Sequence, residues 1–171
     1  MFGVHGRYLK VDLSTGRGDV VPLPEPVLRS FLGGVGLGAW LMAQESPPAA
    51  DPLGPEAALA FVFSPLVGSP LTTSAKFAVA AISPLTGRFC DALSSSHFAQ
   101  SGKRTGCDAI VLTGRACTPS VVLVDGIDAG EPRVELIAAD ELLGLSARAA
   151  ERRISATCNA GSMTPATLRA T

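Results

Sequence analysis

Two short apolar runs, each followed by the same kind of turn, set the strongest limit on how this chain folds. Residues 59–63 lead into S-P-L-V-G, and residues 77–82 lead into S-P-L-T-G. Proline fixes the backbone at one turn position and glycine permits unusual dihedral angles at another, so each run is predicted to be a strand that ends in a turn. Both runs fall far short of the roughly 18 residues that a membrane-spanning helix needs. No segment is therefore expected to cross a bilayer.

The rest of the pattern adds strands and short helices. Residues 8–13 alternate apolar and polar side chains and meet S-T-G before residues 19–23, which predicts a β-hairpin. Spacing and capping signals predict helices at 24–32, 37–44, 96–105 and 140–154, a strand at 109–114, and an antiparallel pair at 121–124 and 133–136. Hairpins with helices inserted between them favour an α+β domain over a regularly alternating α/β one.

Composition excludes several classes of protein. The 171 residues carry 14 Lys and Arg against 15 Asp and Glu, a formal net charge of −1, without an extended basic run. A nucleic acid or an anionic membrane as the main partner is therefore unsupported. Hydrophobic residues make up 47% and charged residues 17%, which indicates a globular chain with a core of its own.

The cysteines and the first residues indicate a reducing compartment. Cys90, Cys107, Cys117 and Cys158 form no C-x-x-C pair, so free thiols are expected rather than a zinc or cluster site. The chain opens without the basic and apolar stretches of a secretory signal. We therefore expect a cytoplasmic location.

Two segments rich in glycine, hydroxyl groups or positive charge are candidates for binding an anion. Gly33, Gly34 and Gly36 lie between two predicted helices, where backbone N–H groups could hold a phosphate or simply form a turn that ends the first helix. Ser74 and Lys76 offer a hydroxyl and a cation just before a strand, and a solvated loop is the alternative. Because a helix precedes the glycines, they are not a dinucleotide fingerprint.

A run of three serines adds hydroxyl groups at the predicted start of a helix. Ser94, Ser95 and Ser96 follow Leu93 and could face an anion, or one of them could cap the helix. The chain's two histidines lie far apart, and neither has a carboxylate or cysteine at ligand spacing. No G-x-S-x-G elbow marks a nucleophile. The residues by themselves predict only that phosphate-bearing material is held on several loops.

Six blocks of sequence follow one another in a specific order. They are F-G-V-H-G-R-Y-L-K-V-D-L-S-T-G at 2–16, F-L-G-G-V-G-L-G-A at 31–39, D-P-L-G-P-E at 51–56, S-P-L-V-G-S-P-L-T-T-S-A-K-F at 64–77, S-P-L-T-G at 83–87 and G-C-D-A-I-V-L-T-G-R-A at 106–116. Together they resemble the N-terminal domain of the aldehyde ferredoxin oxidoreductase family. The resemblance implies two β-sheets with short inserted helices. It also implies a tungsten-containing enzyme that oxidises aldehydes to carboxylic acids and passes electrons through an iron–sulfur cluster to ferredoxin.

The resemblance further implies a cofactor site. A tungsten or molybdenum bis-pterin with magnesium is expected, contacted by Gly33, Gly34, Gly36, Ser74, Lys76, Leu93, Ser94, Ser95 and Ser96. The family commonly has arginine at the position of Lys76, so the charge is kept while bidentate phosphate geometry is lost. It commonly has N-S-G-G where this chain has residues 93–96, and in the family the asparagine position helps hold a magnesium ion between the two pterin phosphates. If that contact uses the main-chain carbonyl, Leu93 can supply it. If the glycines are needed for close approach of the backbone, the serine side chains conflict with the cofactor. No catalytic residue is predicted.

Enzymes of this family continue well past this domain, into helical domains that bring a [4Fe–4S] cluster, further pterin contacts and the substrate cavity. We therefore expect a cofactor-platform domain at 1–154 and a divergent, disordered tail at 155–171, in a truncated chain that is inactive alone. Ferredoxin is the expected partner of the complete enzyme, and a homodimer or a chain with the missing domains are further candidates. The alternative is a non-catalytic β-rich binding or assembly module that pairs with a separate cluster-bearing chain.

Overall fold

The computed structural model describes residues 3–125, 132–160 and 166–168. Its strands are β1 (Arg7–Asp12), β2 (Arg17–Pro22), β3 (Leu59–Phe63), β4 (Lys76–Ile82), β5 (Phe89–Ser95), β6 (Ala109–Thr113), β7 (Ser120–Asp125), β8 (Arg133–Ala138) and β9 (Ala166–Leu168). Its α-helices are α1 (Glu25–Phe31), α2 (Gly34–Glu45), α3 (His97–Arg104) and α4 (Ala147–Ala160), with a 3-10 turn at Asp140–Leu142.

Strands β1 to β6 form one sheet in the order β2-β1-β6-β3-β4-β5. The hairpin of β1 and β2 is antiparallel, as predicted, and β1 runs parallel to β6 with Leu9 opposite Ile110. Strand β3 pairs antiparallel with both β6 and β4, and β4 pairs antiparallel with β5. Within the described residues, β5 therefore lies at one edge of the sheet and β6 lies in its interior.

The sheet is covered on both faces because its strands alternate their side chains between two apolar clusters. Tyr8 packs with Leu37 and Leu41 of α2 on one face. Leu9 packs with Val122 and other side chains of β7 on the opposite face. Each fully buried aliphatic side chain contributes about 1.5–3 kcal/mol, so the two clusters hold helix, large sheet and small sheet together.

A second sheet has the order β8-β7-β9, and its strand β7 packs against one face of the first sheet. Val121 and Leu123 of β7 form a third cluster with Ala139 and with Ile154 of α4. The Ser146 hydroxyl accepts a hydrogen bond from the backbone N–H of Ala149 at 3.4 Å and so caps the start of this helix. Helix α4 is thereby fixed against the small sheet.

The predicted α+β class with two sheets and short helices is confirmed. Strand β5 was not predicted, since residues 93–96 were expected in a loop that opens a helix, and α2 starts at Gly34 rather than after the glycines. Of the predicted tail at 155–171, residues 155–160 continue α4 and Ala166–Leu168 pair with β7, while 161–165 and 169–171 lie outside the described residues. The platform boundary at 154 stays a prediction. None of the helices in the described ranges has the length and hydropathy of a membrane span.

Candidate functional site

One end of the large sheet gathers several segments with exposed polar groups. Because β3, β4 and β5 are successive antiparallel strands, the end of β3, the start of β4 and the end of β5 lie at the same end of the sheet. The loop 64–75 joins β3 to β4 there, and α3 begins directly after β5. This sheet end is where the predicted site residues meet.

Lys76, Ser74 and the serines are brought together by the pairing of β4 with β5. Lys76 stands opposite Ser95, and the backbone N–H of Ser96 donates to the carbonyl of Ala75 at 3.3 Å. The N–H of Lys76 donates to the carbonyl of Ser74 at 2.7 Å. Lys76 and Ser95 are directly paired and both exposed, so their ammonium and hydroxyl groups lie on the same face of the sheet, whereas the exposed Ser94 points to the opposite face.

The serine run divides between two structural roles. Ser94 and Ser95 lie in β5, which corrects the expectation that they open a helix. Ser96 is the N-cap of α3, and its hydroxyl accepts from the backbone N–H of Phe98 at 3.2 Å. Ser96 therefore caps helix α3, which was the alternative to anion binding. Ser94 and Ser95 instead lie in a strand, which the pattern of apolar and polar residues did not indicate.

The glycine cluster reaches the same sheet end through Gly33. A Cβ on Gly33 would lie 3.1 Å from Cδ of Pro65, and the neighbouring Ser64 N–H donates to the carbonyl of Lys76 at 3.0 Å. Gly34 has φ +57°, which favours glycine, and nothing lies within 4 Å of the position a Cβ would take. A Cβ on Gly36 would meet the carbonyl of Phe31 of α1 at 3.3 Å, so the absence of a side chain at Gly36 allows close packing against α1.

The electrostatics of this sheet end favour an anion. Helix α2 begins beside Pro65 of the loop and α3 begins after β5, and neither has an acidic residue in its first turn. The partial positive charge of each helix N-terminus is therefore not neutralised by its own carboxylate. With the exposed Lys76 ammonium nearby in the pairing register, the sheet end can hold a phosphate or a similar oxyanion.

A buried carboxylate that the sequence did not single out lies at the start of β6. Asp108 accepts hydrogen bonds from the backbone N–H groups of His5 and Gly6 at 2.9 and 2.7 Å, and Lys103 lies 2.5 Å from it in an ion pair. Its side chain is 2% exposed and that of Lys103 is 9% exposed. Asp108 thus holds the N-terminal segment and α3 together, which is a structural role. The sequence feature that could have identified Asp108 is a single acidic residue immediately before an apolar run.

Two titratable groups beside this pair have shifted pKa values. Desolvation and the nearby Lys103 ammonium lower the pKa of His5. Burial raises the pKa of the Cys107 thiol, which disfavours its thiolate form. In the ranges that the structure describes, no three His, Cys, Asp or Glu side chains come together in a group that could hold a metal ion.

The chain is similar to tungsten enzymes over most of its length. It is 38% identical over 124 residues to the tungsten-containing aldehyde ferredoxin oxidoreductase of Thermococcus kodakarensis, covering 72% of this chain and 20% of that protein. The enzyme of the same name from Pyrococcus horikoshii is 32% identical over 154 residues, covering 90% of this chain and 24% of that protein. The chain thus spans about a fifth to a quarter of the length of these curated relatives.

A solved structure and a family model agree with these relatives. The active site complex BamBC of benzoyl coenzyme A reductase, solved with 1,5-dienoyl-CoA, matches with a TM-score of 0.82 and 27% identity, covering 92% of this chain and 23% of that one. The model for the aldehyde ferredoxin oxidoreductase N-terminal domain matches residues 8–167. These matches follow the fold and the blocks described above, and the chain belongs to the aldehyde ferredoxin oxidoreductase N-terminal domain family.

Proposed function

We propose that this chain is the platform on which the tungsten-pterin cofactor of an aldehyde-oxidising, ferredoxin-linked oxidoreductase rests. The observation that carries the proposal is the convergence of an exposed ammonium, exposed hydroxyls and two helix N-termini at one end of the sheet. Pterin cofactors of this kind carry phosphate groups, and these are the groups that such a surface recognises. The tungsten in the relatives' names supports tungsten as the metal of this cofactor.

The residues at the sheet end fit a phosphate-bearing cofactor. The open space beside Gly34 lets a ligand approach the backbone, and Gly33 and Gly36 belong to the same glycine cluster. Lys76 supplies a charge, with Ser74 at its side. Because one edge of β5 has no partner strand within the described residues, some of its carbonyls face outward. We propose that the Leu93 carbonyl would hold a magnesium ion and that the hydroxyls of Ser94, Ser95 and Ser96 would supply surrounding contacts.

The cofactor supplies the redox chemistry when it is bound, and the chain supplies position and charge. No catalytic residue is assigned within this chain. We place the [4Fe–4S] cluster, the substrate cavity and the route to ferredoxin in the part of the enzyme that corresponds to the other four-fifths of the relatives. The 171 residues alone are therefore expected not to oxidise aldehydes.

A hybrid enzyme tests the platform. The segment of the Thermococcus kodakarensis relative that matches this chain is replaced by residues 3–154, and tungsten and pterin are measured in the purified hybrid. Lys76→Ala is expected to weaken retention roughly 10- to 100-fold, since a hydrogen bond to a charged group contributes about 1.5–3 kcal/mol. Lys76→Arg keeps the charge and is expected to retain the cofactor.

Arg17→Ala is the matched control, because Arg17 is also an exposed cation near a strand end but lies on β2 at the opposite edge of the sheet. Its hybrid is expected to retain tungsten and pterin like the unchanged one. Equal retention in the Lys76→Ala and Arg17→Ala hybrids contradicts the proposed site.

Two printed names favour a second candidate, a platform that works in an assembly of separate chains. One relative, 31% identical over 127 residues, is the WOR-like subunit of an aliphatic sulfonate oxidoreductase of Pyrococcus furiosus. The structural neighbour is likewise a complex of named subunits. Under this candidate the chain binds a cluster-bearing partner. A pull-down with that partner in the absence of the cofactor distinguishes this candidate from the first proposal.

A further inference from the structure

A pocket beside the last turn of helix α3 has a lining that is basic and polar. Its volume is about 320 Å³. The N-terminal segment, the loop at 64–75 and α3 each contribute to the lining, which consists of His5, Val67, Gly68, Gln100, Lys103 and Arg104. None of these six residues is acidic. We call this surface the α3 pocket.

The helix that forms the α3 pocket packs on the face of the sheet opposite to the candidate cofactor site. Lys76 shares its strand face with Ala78, because alternate residues of a strand share a face, and Ala78 belongs to the cluster that α2 covers. On the other face, the Phe98 ring of α3 packs against the rings of Phe63 and Phe77. The α3 pocket is therefore a separate surface, whose occupancy does not depend on the proposed function.

The positive charges at the α3 pocket are only partly compensated. The Lys103 side chain is 9% exposed, and its ammonium donates to Oδ1 of Asp108 at 2.5 Å. An ammonium has three N–H groups, and Asp108 is the one acceptor that Lys103 has within the described residues. Arg104 is exposed and forms no ion pair in the same part of the chain. Buried N–H groups and an unpaired guanidinium are both donors for an anion.

The surroundings of His5 show the same excess of positive charge. Desolvation is the largest cause that lowers the pKa of His5, and the charges of Lys103 and Arg7 lower it further. Asp108 opposes them as the one carboxylate among these causes. An anion in the α3 pocket would counteract the two cations and favour the protonated imidazole. The ring of His5 is therefore a reporter for an anion that binds there.

We propose that the α3 pocket binds a small oxyanion of the phosphate type, with the Arg104 guanidinium as its main contact. A guanidinium presents paired N–H groups that match the oxygens of a phosphate. The Gln100 amide oxygen lies 3.1 Å from Nδ1 of His97, which leaves the amide N–H groups of Gln100 for the ligand. Nothing lies within 4 Å of the position that a Cβ would take on Gly68, so the ligand has room there. The volume is at the small end of the range for ligand sites, which favours a small anion over a nucleotide.

A titration of the full 171-residue chain with inorganic phosphate tests this, with the imidazole of His5 followed by NMR. A saturable shift of the His5 resonances and a rise in its pKa are expected. Arg104→Gln is expected to weaken phosphate binding about tenfold or more, because a hydrogen bond to a charged group is lost. Arg152→Gln is the matched control, since Arg152 is an exposed arginine on α4 outside the pocket, and its binding is expected to stay unchanged.

Lys76→Ala separates the α3 pocket from the candidate cofactor site, which is also expected to recognise phosphate. The response of His5 to phosphate is expected to persist in Lys76→Ala, and its loss there would overturn the proposal. No saturable response of His5 in the unchanged chain, or equal affinity of the unchanged chain and Arg104→Gln, would also overturn it. Arg104 would then serve only to stabilise the C-terminal end of α3. Circular dichroism checks that Arg104→Gln folds, and the titration of the unchanged chain decides independently of any variant.

Discussion

Strands β5 and β6 belong to the same sheet and have opposite surroundings. Four of the five residues of β6 are buried, while all seven residues of β5 are exposed. Strand β6 pairs with β1 on one side and β3 on the other, whereas β5 pairs with β4 alone in the described sheet. The difference indicates that the interior strands form the core of the domain, whereas the edge strand contributes few buried side chains to it.

Two lysines show the same contrast between a buried and an exposed environment. Lys103 near β6 is buried in an ion pair with Asp108, and Lys76 next to β5 is exposed at the sheet end. A buried pair fixes structure, because each charge left alone in the interior is strongly unfavourable. An exposed cation remains available for an incoming anion.

The largest expected effect comes from removing the buried carboxylate. Asp108→Ala leaves the Lys103 ammonium unpaired and two backbone N–H groups without their acceptor, so a loss of about 3–5 kcal/mol in the free energy of unfolding is expected. Urea unfolding measures it. Glu25→Ala breaks the exposed pair with Arg29 and is expected to cost about 0–1 kcal/mol. Similar losses in the free energy of unfolding for the two variants would contradict the contrast between buried and exposed ion pairs.

A second pair of variants compares the two strands directly. Ile110→Ala in β6 truncates a side chain that is 1% exposed, and a loss of about 2–5 kcal/mol is expected. Leu93→Ala in β5 truncates one that is 70% exposed, and a change within about 0.5 kcal/mol is expected. Thermal or urea unfolding of the isolated chain decides between them. A large loss from Leu93→Ala would mean that the edge strand stabilises the domain as an interior strand does.

The smallest expected effect is a dependence on pH at the N-terminal segment. The pKa of His5 is lowered in the folded chain from an ordinary value of 6.5, so its contribution to stability is present above that value and is lost as the pH falls through the folded pKa. His5→Gln is therefore expected to lose less free energy of unfolding than the unchanged chain between pH 7.5 and 5.5. His97→Gln, at an exposed position on α3, is the control. Identical pH profiles for His5→Gln and the unchanged chain would contradict this.

The interior of the fold could be predicted from the sequence because its strands are apolar runs or alternate clearly. Strand β5, F-C-D-A-L-S-S, could not, because all seven of its residues are exposed and no alternation of apolar and polar residues marks it as a strand. Helix α2 contains several glycines although glycine disfavours helices. At Gly38 a Cβ would lie 2.9 Å from Cβ of Ala80, so close packing of the helix on β4 requires a glycine there. Tertiary packing overrides local propensity there.

The sequence predicted which residues form the candidate site but not where in the fold they come together. Lys76 and Ser95 meet through strand pairing, which spacing along the chain does not show. The partners of Asp108 at His5 and Gly6 lie about a hundred residues away in sequence, so no local pattern marks them. The assignment of the site residues to a cofactor stays a proposal.

Hydrogen exchange of the chain tests the contrast between the two strands most directly. In the free chain, peptides covering β6 are expected to exchange slowly and peptides covering β5 quickly, because opening of an edge strand needs little unfolding. Exchange of β5 as slow as that of β6 would contradict the account of β5 as an exposed edge strand.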